Sequence, residues 1–313
     1  MTQQLRIEDL GVAVLAYGRS NTHAELLESL RAAGLADEQL VVVHNPDRPD
    51  DGWRPACPEA ATLIALPRNV GYPVGMNRAI ELLAQRGKAA VLLLTHDVRV
   101  EPTTLTVLVE TANRAPDYGV LGLAVKGAGG ASTSYGSYLR ADGTVEHVSL
   151  RPAGEHVADS VFVDGCSMFV RLEACGTAPL PERYFMYFEE AVLCSTVRAN
   201  GWRVGTALNA AAASVSGIKH RRGAFHYLYV RNGLDWIYRE RGAMAAAKYA
   251  AHEVGRALSG LPKPGGRWWR DRTVRRAGFE QLLGRAMGIV DFARRRWGPP
   301  PKLLLRISDI RNI

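Results

Sequence analysis

Val91-Leu92-Leu93-Leu94-Thr95-His96-Asp97 is the stretch that decides the fold. The run Val91–Leu94 reads as a strand buried on both faces, and it closes on a carboxylate. In an α/β chain such a strand belongs to a parallel sheet, and ligands bind at the carboxyl edge of that sheet. Asp97 is therefore a candidate ligand for a metal ion or for the phosphate side of a nucleotide. Capping of a turn or helix is the alternative use of the same side chain.

Working outward, the pattern alternates strands and helices. Gly11–Ala16 reads as a first buried strand, and Asn21–Ala33 as the helix after it, with Leu26, Leu27 and Leu30 at helical spacing. Leu40–Val43 and Thr62–Leu66 read as second and third strands, Val74–Gln85 as a helix, and Val91–Leu94 as the fourth strand. This order calls for right-handed crossovers and a mostly parallel sheet. Leu105–Asn113 is expected to be helical, and Lys126–Tyr138, rich in Gly, Ser and Ala, irregular. Ala141-Asp142-Gly143-Thr144 has the composition of a hairpin turn between antiparallel strands. Val161–Gly165 restores order, Asp164 closing another strand, and a helix is expected from Glu189 to before Gly201. Tyr227–Arg239, Ala243–Leu258 and Arg275–Arg296 are helical in pattern, with a Pro/Gly break at Gly260–Gly266.

Composition bounds the class. A chain of 313 residues with 47% hydrophobic and 22% charged residues can bury a large core, as one big domain or two smaller ones. No stretch approaches the roughly 18 to 20 continuous apolar residues of a membrane span. The start, Met1-Thr2-Gln3-Gln4-Leu5-Arg6, lacks the basic then apolar layout of a secretory leader, so a cytoplasmic protein is expected. Cys57, Cys166, Cys175 and Cys194 are too scattered for a zinc or redox motif, and reduced, mostly buried thiols are expected. From Gly255 to Ile313 there are 14 Lys and Arg against 4 Asp and Glu, so the net charge of +8 resides in the tail.

Four segments carry chemistry. Asn69-Val70-Gly71-Tyr72-Pro73-Val74-Gly75-Met76-Asn77 joins a strand to a helix; its glycines permit close backbone approach, and the helix N-terminus offers amide donors to a phosphate or sugar oxygen. An ordinary strand-to-helix turn is the alternative. Thr95-His96-Asp97 suits a hard cation that takes few protein carboxylates and completes its shell with phosphate and water, His96 standing alongside. Tyr184-Phe185-Met186-Tyr187-Phe188-Glu189-Glu190 crowds aromatics against two acids, which raises a carboxyl pKa toward that of a working general base. The helix dipole also favours acids in a first turn, so those glutamates have a purely structural reading as well. Asp164-Gly165 offers a carboxylate to an acceptor hydroxyl, and Lys219-His220-Arg221-Arg222 offers cations to a diphosphate or forms a solvated basic loop.

The order of these segments is more specific than any one of them. A first strand followed by Tyr17, the loop Asn-x-Gly-x-x-x-Gly-x-Asn, an apolar strand ending in Asp, then Asp-Gly and an aromatic run into paired acids resembles the inverting family-2 glycosyltransferases of GT-A fold. Arg231-Asn232 after Tyr229 resembles the rhamnosyltransferase-like branch, and the likeness covers roughly residues 10 to 240. The resemblance implies a GT-A, Rossmann-like, mostly parallel sheet flanked by helices over 1–240, with a helical basic extension over 241–313. It implies a nucleotide-diphosphate sugar contacted by Ala16, Tyr17, His44, Asn45, Asn69, Gly71, Gly75, Asn77, His96 and Arg221. A magnesium or manganese ion would be held by Asp97 and by His220, unless Ser216 occupies the place of the family's late metal-binding histidine; the acceptor would be met by Asp164 and Gly165, and its proton removed by Glu189 or Glu190, with Glu190 aligned to the family's base. Two departures stand out: His44 precedes Asn45 where the family has Asp, and Val192 occupies a position commonly acidic.

Two other classes compete. A sugar-phosphate nucleotidyltransferase needs a glycine-rich basic loop after the first strand, and Ala16-Tyr17-Gly18-Arg19-Ser20 offers one glycine. A catalytically dead carbohydrate-binding or scaffold protein would share the fold without turnover. In the tail, Arg267-Trp268-Trp269-Arg270, Arg275-Arg276 and Arg294-Arg295-Arg296-Trp297 have the make-up of segments that lie on anionic lipid, of a basic face for an anionic substrate, or of an oligomer contact. No nucleic-acid fold signature accompanies the charge.

Overall fold

A computed structural model describes residues 4–19, 22–47, 52–130, 132–140, 145–215, 223–259 and 272–307, without the side chain of Arg272. Asn21, Ala141–Thr144, Ser216, Lys219–Arg222, Gly260–Gly266 and Arg267–Arg270, each read above, lie outside the described residues. The described residues fall into two compact units, one within Met1–Leu139, Val145–Glu182 and Glu189–Gly217, the other within Arg140–Thr144, Arg183–Phe188 and Ile218–Ile313. The second unit thus takes in 218–240, which the sequence groups with the sheet.

The first unit is built on β1 (Leu10–Tyr17), β2 (Leu40–Asn45), β3 (Thr62–Ala65), β4 (Ala90–Thr95), β5 (Val98–Val100), β6 (Tyr118–Lys126), β7 (Thr133–Ser134), β8 (Ser137–Leu139), β9 (Val145–His147), β10 (Val157–Asp159), β11 (Ser167–Arg171) and β12 (Arg203–Ser214). Ten of these strands make one sheet of order β10-β12-β6-β11-β4-β1-β2-β3, with β5 on β12 and β7 on β6. β1 pairs parallel with β2 and β4, β2 with β3, and β6 with β12, while β11 runs antiparallel between β4 and β6. The sheet is therefore mixed and mostly parallel, with β11 reversed at its centre and β5, β7 and β10 reversed beside β6 and β12, the GT-A-like arrangement. β8 and β9 pair antiparallel on either side of the expected hairpin turn.

α1 (Thr22–Ala32), α2 (Tyr72–Gln85), α3 (Thr104–Arg114), α4 (Leu172–Cys175) and α5 (Glu189–Ala199) belong to this unit. β1, β2 and β4 are apolar on both faces, with Val12, Val14, Val42, Leu92 and Leu94 fully buried, as strands covered on both sides must be. α2 begins two residues earlier than its hydrophobic period indicates, because Gly71 at φ 87 makes the N-cap and Pro73 is tolerated in the first turn. Met76, Ala79, Ile80 and Leu83 form its buried stripe.

One expectation is not met. Val161–Gly165 is not a strand: Phe162 makes a single bridge to Ser137, and Asp164 precedes β11 in a turn closed by Ser167 N donating to Asp164 O at 3.2 Å. Buried Val163 explains the apolar character of that stretch, since it packs within 2.6 Å of where a Cβ on Gly122 of β6 would stand. β6 and β12, for their part, carry no expectation from the sequence reading above.

The second unit is helical: α6 (Gly223–Ser259), broken at Gly242 where φ is 80 and ψ −176, α7 (Arg272–Ala293) and α8 (Lys302–Ile307). Glu253 and Arg285, both buried, pair at 2.8 Å between α6 and α7. Trp297 stacks on Tyr184 at 5.9 Å, with the Arg183 guanidinium 4.8 Å from its ring centroid. Packed in this way, Trp297 serves its own unit, which weighs against the membrane reading of Arg294–Trp297. No described helix is long and apolar enough to cross a membrane.

Within the first unit, Asn77 fastens α2 to the chain ahead of the aromatic run. Its Nδ2 donates to Leu180 O at 2.9 Å and to Glu182 Oε1 at 3.1 Å, and its Oδ1 accepts from Leu180 N at 3.1 Å. Asn77→Ala would strip buried backbone groups of their partners, at a cost of about 1 to 3 kcal/mol. A fall of that size in the urea unfolding free energy is expected; an unchanged midpoint would refute the structural assignment.

Candidate active site

Register sets the site. Tyr17 lies opposite Asn45 and Leu15 opposite Thr95, so β1, β2 and β4 end together on one edge of the sheet. Asp97 follows β4 in a two-residue turn and accepts from Thr95 Oγ1 at 2.6 Å, while its carbonyl accepts from Val215 N at 2.8 Å. His96 is turned back onto β1: its backbone N donates to Leu15 O at 3.1 Å, and its Nδ1 accepts from Tyr17 N at 3.5 Å. Burial lowers the His96 pKa despite the Asp97 carboxylate, so the ring is neutral at working pH.

Around the end of β2 stands an aromatic cluster. His44, buried, meets Trp53 edge-on at 5.2 Å, and Trp53 meets His23 at 6.1 Å. His23 Nε2 accepts from Ala56 N at 2.8 Å. The Tyr17 phenol is pushed up to about 12 by burial and by Asp47. Ala16 is buried within β1. Trp53 and His23 are additions the motif reading missed, Trp53 because it lies in a segment without a regular period and His23 because it shares the buried face of α1 with Leu26, Leu27 and Leu30 and reads as packing.

The loop into α2 is held by amides. Asn45 Nδ2 donates to Asn69 Oδ1 at 2.8 Å, Asn45 Oδ1 accepts from Val70 N at 3.0 Å, and Asn69 Oδ1 also accepts from Gly71 N at 2.9 Å. Asn45, Asn69 and Gly71 therefore shape the loop jointly. Gly75 and Asn77 face elsewhere: a Cβ on Gly75 would stand 2.9 Å from Leu15 Cδ1 and 3.3 Å from Val43 Cγ1, and Asn77 spends its amide on Leu180 and Glu182. Gly75 therefore seats the helix against β1 and β2, while Asn77 ties it to Leu180 and Glu182.

On the acid side, Tyr72 Oη donates to Gly165 O at 2.8 Å. A Cβ on Gly165 would lie 3.5 Å from that of Glu190, so the Gly165 backbone stands directly beside the Glu190 side chain. The buried Tyr72 phenol is raised well above its ordinary value by burial and by the neighbouring Glu189 and Glu190. Glu189 is buried and Glu190 half-buried. Burial first, and the adjacent Glu190 second, raise the Glu189 carboxyl well above the ordinary range, which favours its protonated form. Cys166 links the two sides: its thiol is pushed up by burial and by both Asp164 and Asp97, and its carbonyl accepts from Thr95 N at 3.1 Å. Asp164 Oδ2 is buried and has no hydrogen-bond partner among the described residues.

Asp97, Cys166, Asp164, Gly165, Tyr72, Glu189 and Glu190 thus form a connected series in the first unit, while Arg221 and His220 lie outside the described residues. Tyr72 and Cys166 were legible only as a loop tyrosine and a scattered thiol. Among the described residues no group of three or more His, Cys, Asp and Glu is arranged to hold a metal. The donor set fits a hard cation of the magnesium type, which binds through one or two carboxylates and completes its shell with phosphate and water. Asp97, half-exposed at the sheet edge, is the carboxylate on hand.

Solved structures share this fold. S. aureus TarS 1-349 is 15% identical at a TM-score of 0.52, over 90% of this chain and 80% of that one; TarS 1-349 has also been crystallised with UDP-GlcNAc. The mannosyltransferase PcManGT from Pyrobaculum calidifontis, solved with GDP-Man and Mn²⁺, is 12% identical at a TM-score of 0.51, over 91% of this chain and 87% of that one. GalNAc-T7, solved with UDP, GalNAc and Mn²⁺, is 11% identical at a TM-score of 0.54, over 94% of this chain and 58% of that one. At such identities the likeness shows the fold alone. No functionally curated protein matches the chain by sequence. The family model described as glycosyl transferase family 2 matches residues 11–169, half of the chain, and the chain belongs to that family.

Proposed function

We propose that the protein transfers a sugar from a nucleotide-diphosphate donor to an acceptor hydroxyl with inversion at the anomeric carbon, in glycan or glycosylated natural-product biosynthesis. One observation carries this reading: a buried Glu189 beside a half-buried Glu190, next to Gly165 and in the unit whose sheet edge carries Asp97. Burial and the neighbouring charge push the Glu189 carboxyl toward its protonated form, which assigns the proton-accepting role to Glu190. As the acceptor oxygen attacks, Glu190 takes the hydroxyl proton, the new C–O bond forms, and the bond to the diphosphate breaks with its electron pair leaving on the diphosphate. Asp164, with its unpartnered oxygen, suits the acceptor side. A bound magnesium or manganese ion would be held by Asp97 and diphosphate oxygens, supplying Lewis-acid stabilisation of the leaving group.

The loop built by Asn45, Asn69 and Gly71, with Tyr17, His44 and His96 at the strand ends, is the proposed donor face. The neighbours' donors carry uridine or guanosine, and His44 in the place of the family's acid leaves both open here. Arg231-Asn232 supports the rhamnosyltransferase-like branch.

Three outcomes test the reading. Glu190→Gln is expected to lower kcat by about 10² to 10⁴, the range of general acid-base catalysis, whereas Glu189→Gln, which mimics the protonated acid, keeps at least about a tenth of it. Equal losses in the two variants would reverse or cancel the assignment. Stability follows the same proton. A carboxyl whose folded pKa is raised stabilises the protein below its unfolded pKa, about 4.3 for Glu, and that contribution is lost as pH rises toward the folded value. The gain in melting temperature of Glu189→Gln over the parent should therefore grow from pH 5 to pH 9. Finally, UDP or GDP with Mn²⁺ should raise the melting temperature, and Asp97→Ala should remove the part of that rise that needs Mn²⁺. No rise with either nucleotide, and no turnover with any donor sugar, would favour the inactive scaffold.

A further inference from the structure

The second unit contains an unusual segment. Phe185, Tyr187 and Phe188 have φ of 69, 71 and 66, so three bulky non-glycine residues within four positions are left-handed. Such residues persist in that region only where their surroundings over-determine them, and strain of this kind clusters at functional sites. The chain leaves the segment directly into Glu189 and Glu190.

One helix supplies what holds it. Asn232 Nδ2 donates to the carbonyls of Tyr184, Met186 and Tyr187 at 3.1, 2.8 and 3.0 Å. An amide nitrogen has two hydrogens, so three carbonyls share two donors and the run is gathered around a single side chain. Arg231 stands behind it: Nη2 donates to Tyr184 O at 3.0 Å, Nε to Asn232 Oδ1 at 3.0 Å, and Nη1 to Tyr227 Oη at 3.0 Å. Arg231 and Asn232 are fully buried at 0% exposure, where an unmade hydrogen bond is expensive. The start of the run is tied through Tyr184 Oη to Asp235 Oδ2 at 2.6 Å, a carboxylate that also receives Arg183 and Arg239. The rings interlock with the same helix, Tyr187 on Phe225 at 5.0 Å and Phe188 on Tyr229 at 4.8 Å.

We propose that Asn232, braced by Arg231, is a positioning residue for the transfer reaction: it fixes the left-handed run whose next two residues along the chain are Glu189 and Glu190. The proposal rests on the reading of Glu190 as the base. Asn232 touches neither donor nor acceptor in this role. Its loss therefore acts on the placement of the carboxylate, hence on kcat, with nucleotide binding spared.

The test compares the parent with Asn232→Ala and with the milder Arg231→Lys, which keeps the charge and loses the geometry that orients Asn232. Hydrogen exchange of the peptide covering 183–190 reads the latch without any need for activity. UDP and GDP with Mn²⁺ probe binding, and release of nucleoside diphosphate from UDP- and GDP-sugars reads turnover. Faster exchange at 185–189 is expected, with kcat down tenfold or more in Asn232→Ala and by a smaller factor in Arg231→Lys. Nucleotide affinity should stay within threefold, and the acidic limb of the kcat profile should move. Fast exchange with unchanged kcat and pH profile would overturn the positioning role, as would unchanged exchange in both variants or a fall in affinity matching that in kcat. Should Asn232→Ala fail to fold, Arg231→Lys decides by the same criteria. If Glu190→Gln retains full kcat, the base reading falls and this proposal with it; if Glu190→Gln is inactive while loosened Asn232→Ala turns over normally, only the positioning role falls.

Discussion

Parallel pairing of β1 with β2 on one side and β4 on the other is the constraint on which the site depends. Parallel strands end on the same edge, so the residues just past Tyr17, Asn45 and Thr95 converge without any long-range search. The pairing is pinned by burial on both faces, since Val12, Val14, Leu92 and Leu94 on one face and Ala13 and Leu93 on the other leave no polar face to turn outward. Asp97 is at the sheet edge because four apolar residues before it have nowhere else to go. The reversed strand β11 then brings Asp164, Gly165 and Cys166, which precede it, to that same edge, as Thr95 N donating to Cys166 O records.

This explains which features are legible in the sequence. β1, β2, β3 and β4 are β-branched or leucine-rich runs of strand length between helices of clear period, and their pattern locates each within one or two residues. β12 is not legible: Ala207, Ala210, Ala211, Ala212 and Ala213 have weak strand preference and no period of two, and β12 carries a register shift between Ala207 and Ala211 against β6. Asp164 reads as a strand end because Val161, Phe162 and Val163 look like a strand; Val163 is buried for packing on Gly122, and the backbone around it pairs only at a bridge. Sequence marks the loop before α2 as a unit but does not show how its last two members pack. Gly75 and Asn77 repeat the spacing of a ligand loop, yet one seats α2 on β1 and β2 and the other ties it to Leu180, tertiary facts that spacing does not encode.

The acid pair shows why local sequence rules need burial to decide their sign. Two glutamates in a first helical turn are favoured by the helix dipole, which argues for ionised carboxylates. At Glu189 burial and the like charge of Glu190 oppose that preference, and they win, since its carboxyl is raised well above the ordinary range. Neighbouring carboxyls that cannot both ionise divide acid and base character between them, a division seen wherever environment separates two titrating groups. The sequence suggests the aromatic run before them as the desolvating agent, but in the structure those rings belong to the helical unit, interlocked with Phe225 and Tyr229.

The helical part of the chain then acquires a use that composition alone conceals. Its net positive charge points to arginines as lipid or phosphate ligands. Arg183, Arg231, Arg239 and Arg285 are instead consumed internally, on Asp235, on the carbonyl of Tyr184, and on Glu253. Guanidinium suits that work because its fixed fork of donors serves carboxylates and carbonyls that a single ammonium would satisfy poorly. Buried cations such as Arg231 and Arg285 add little net stability once desolvation is counted, so their value lies in specifying one arrangement. Here the arrangement specified is a left-handed run of bulky residues that no local preference would select, ending at the residue where the proposed chemistry begins.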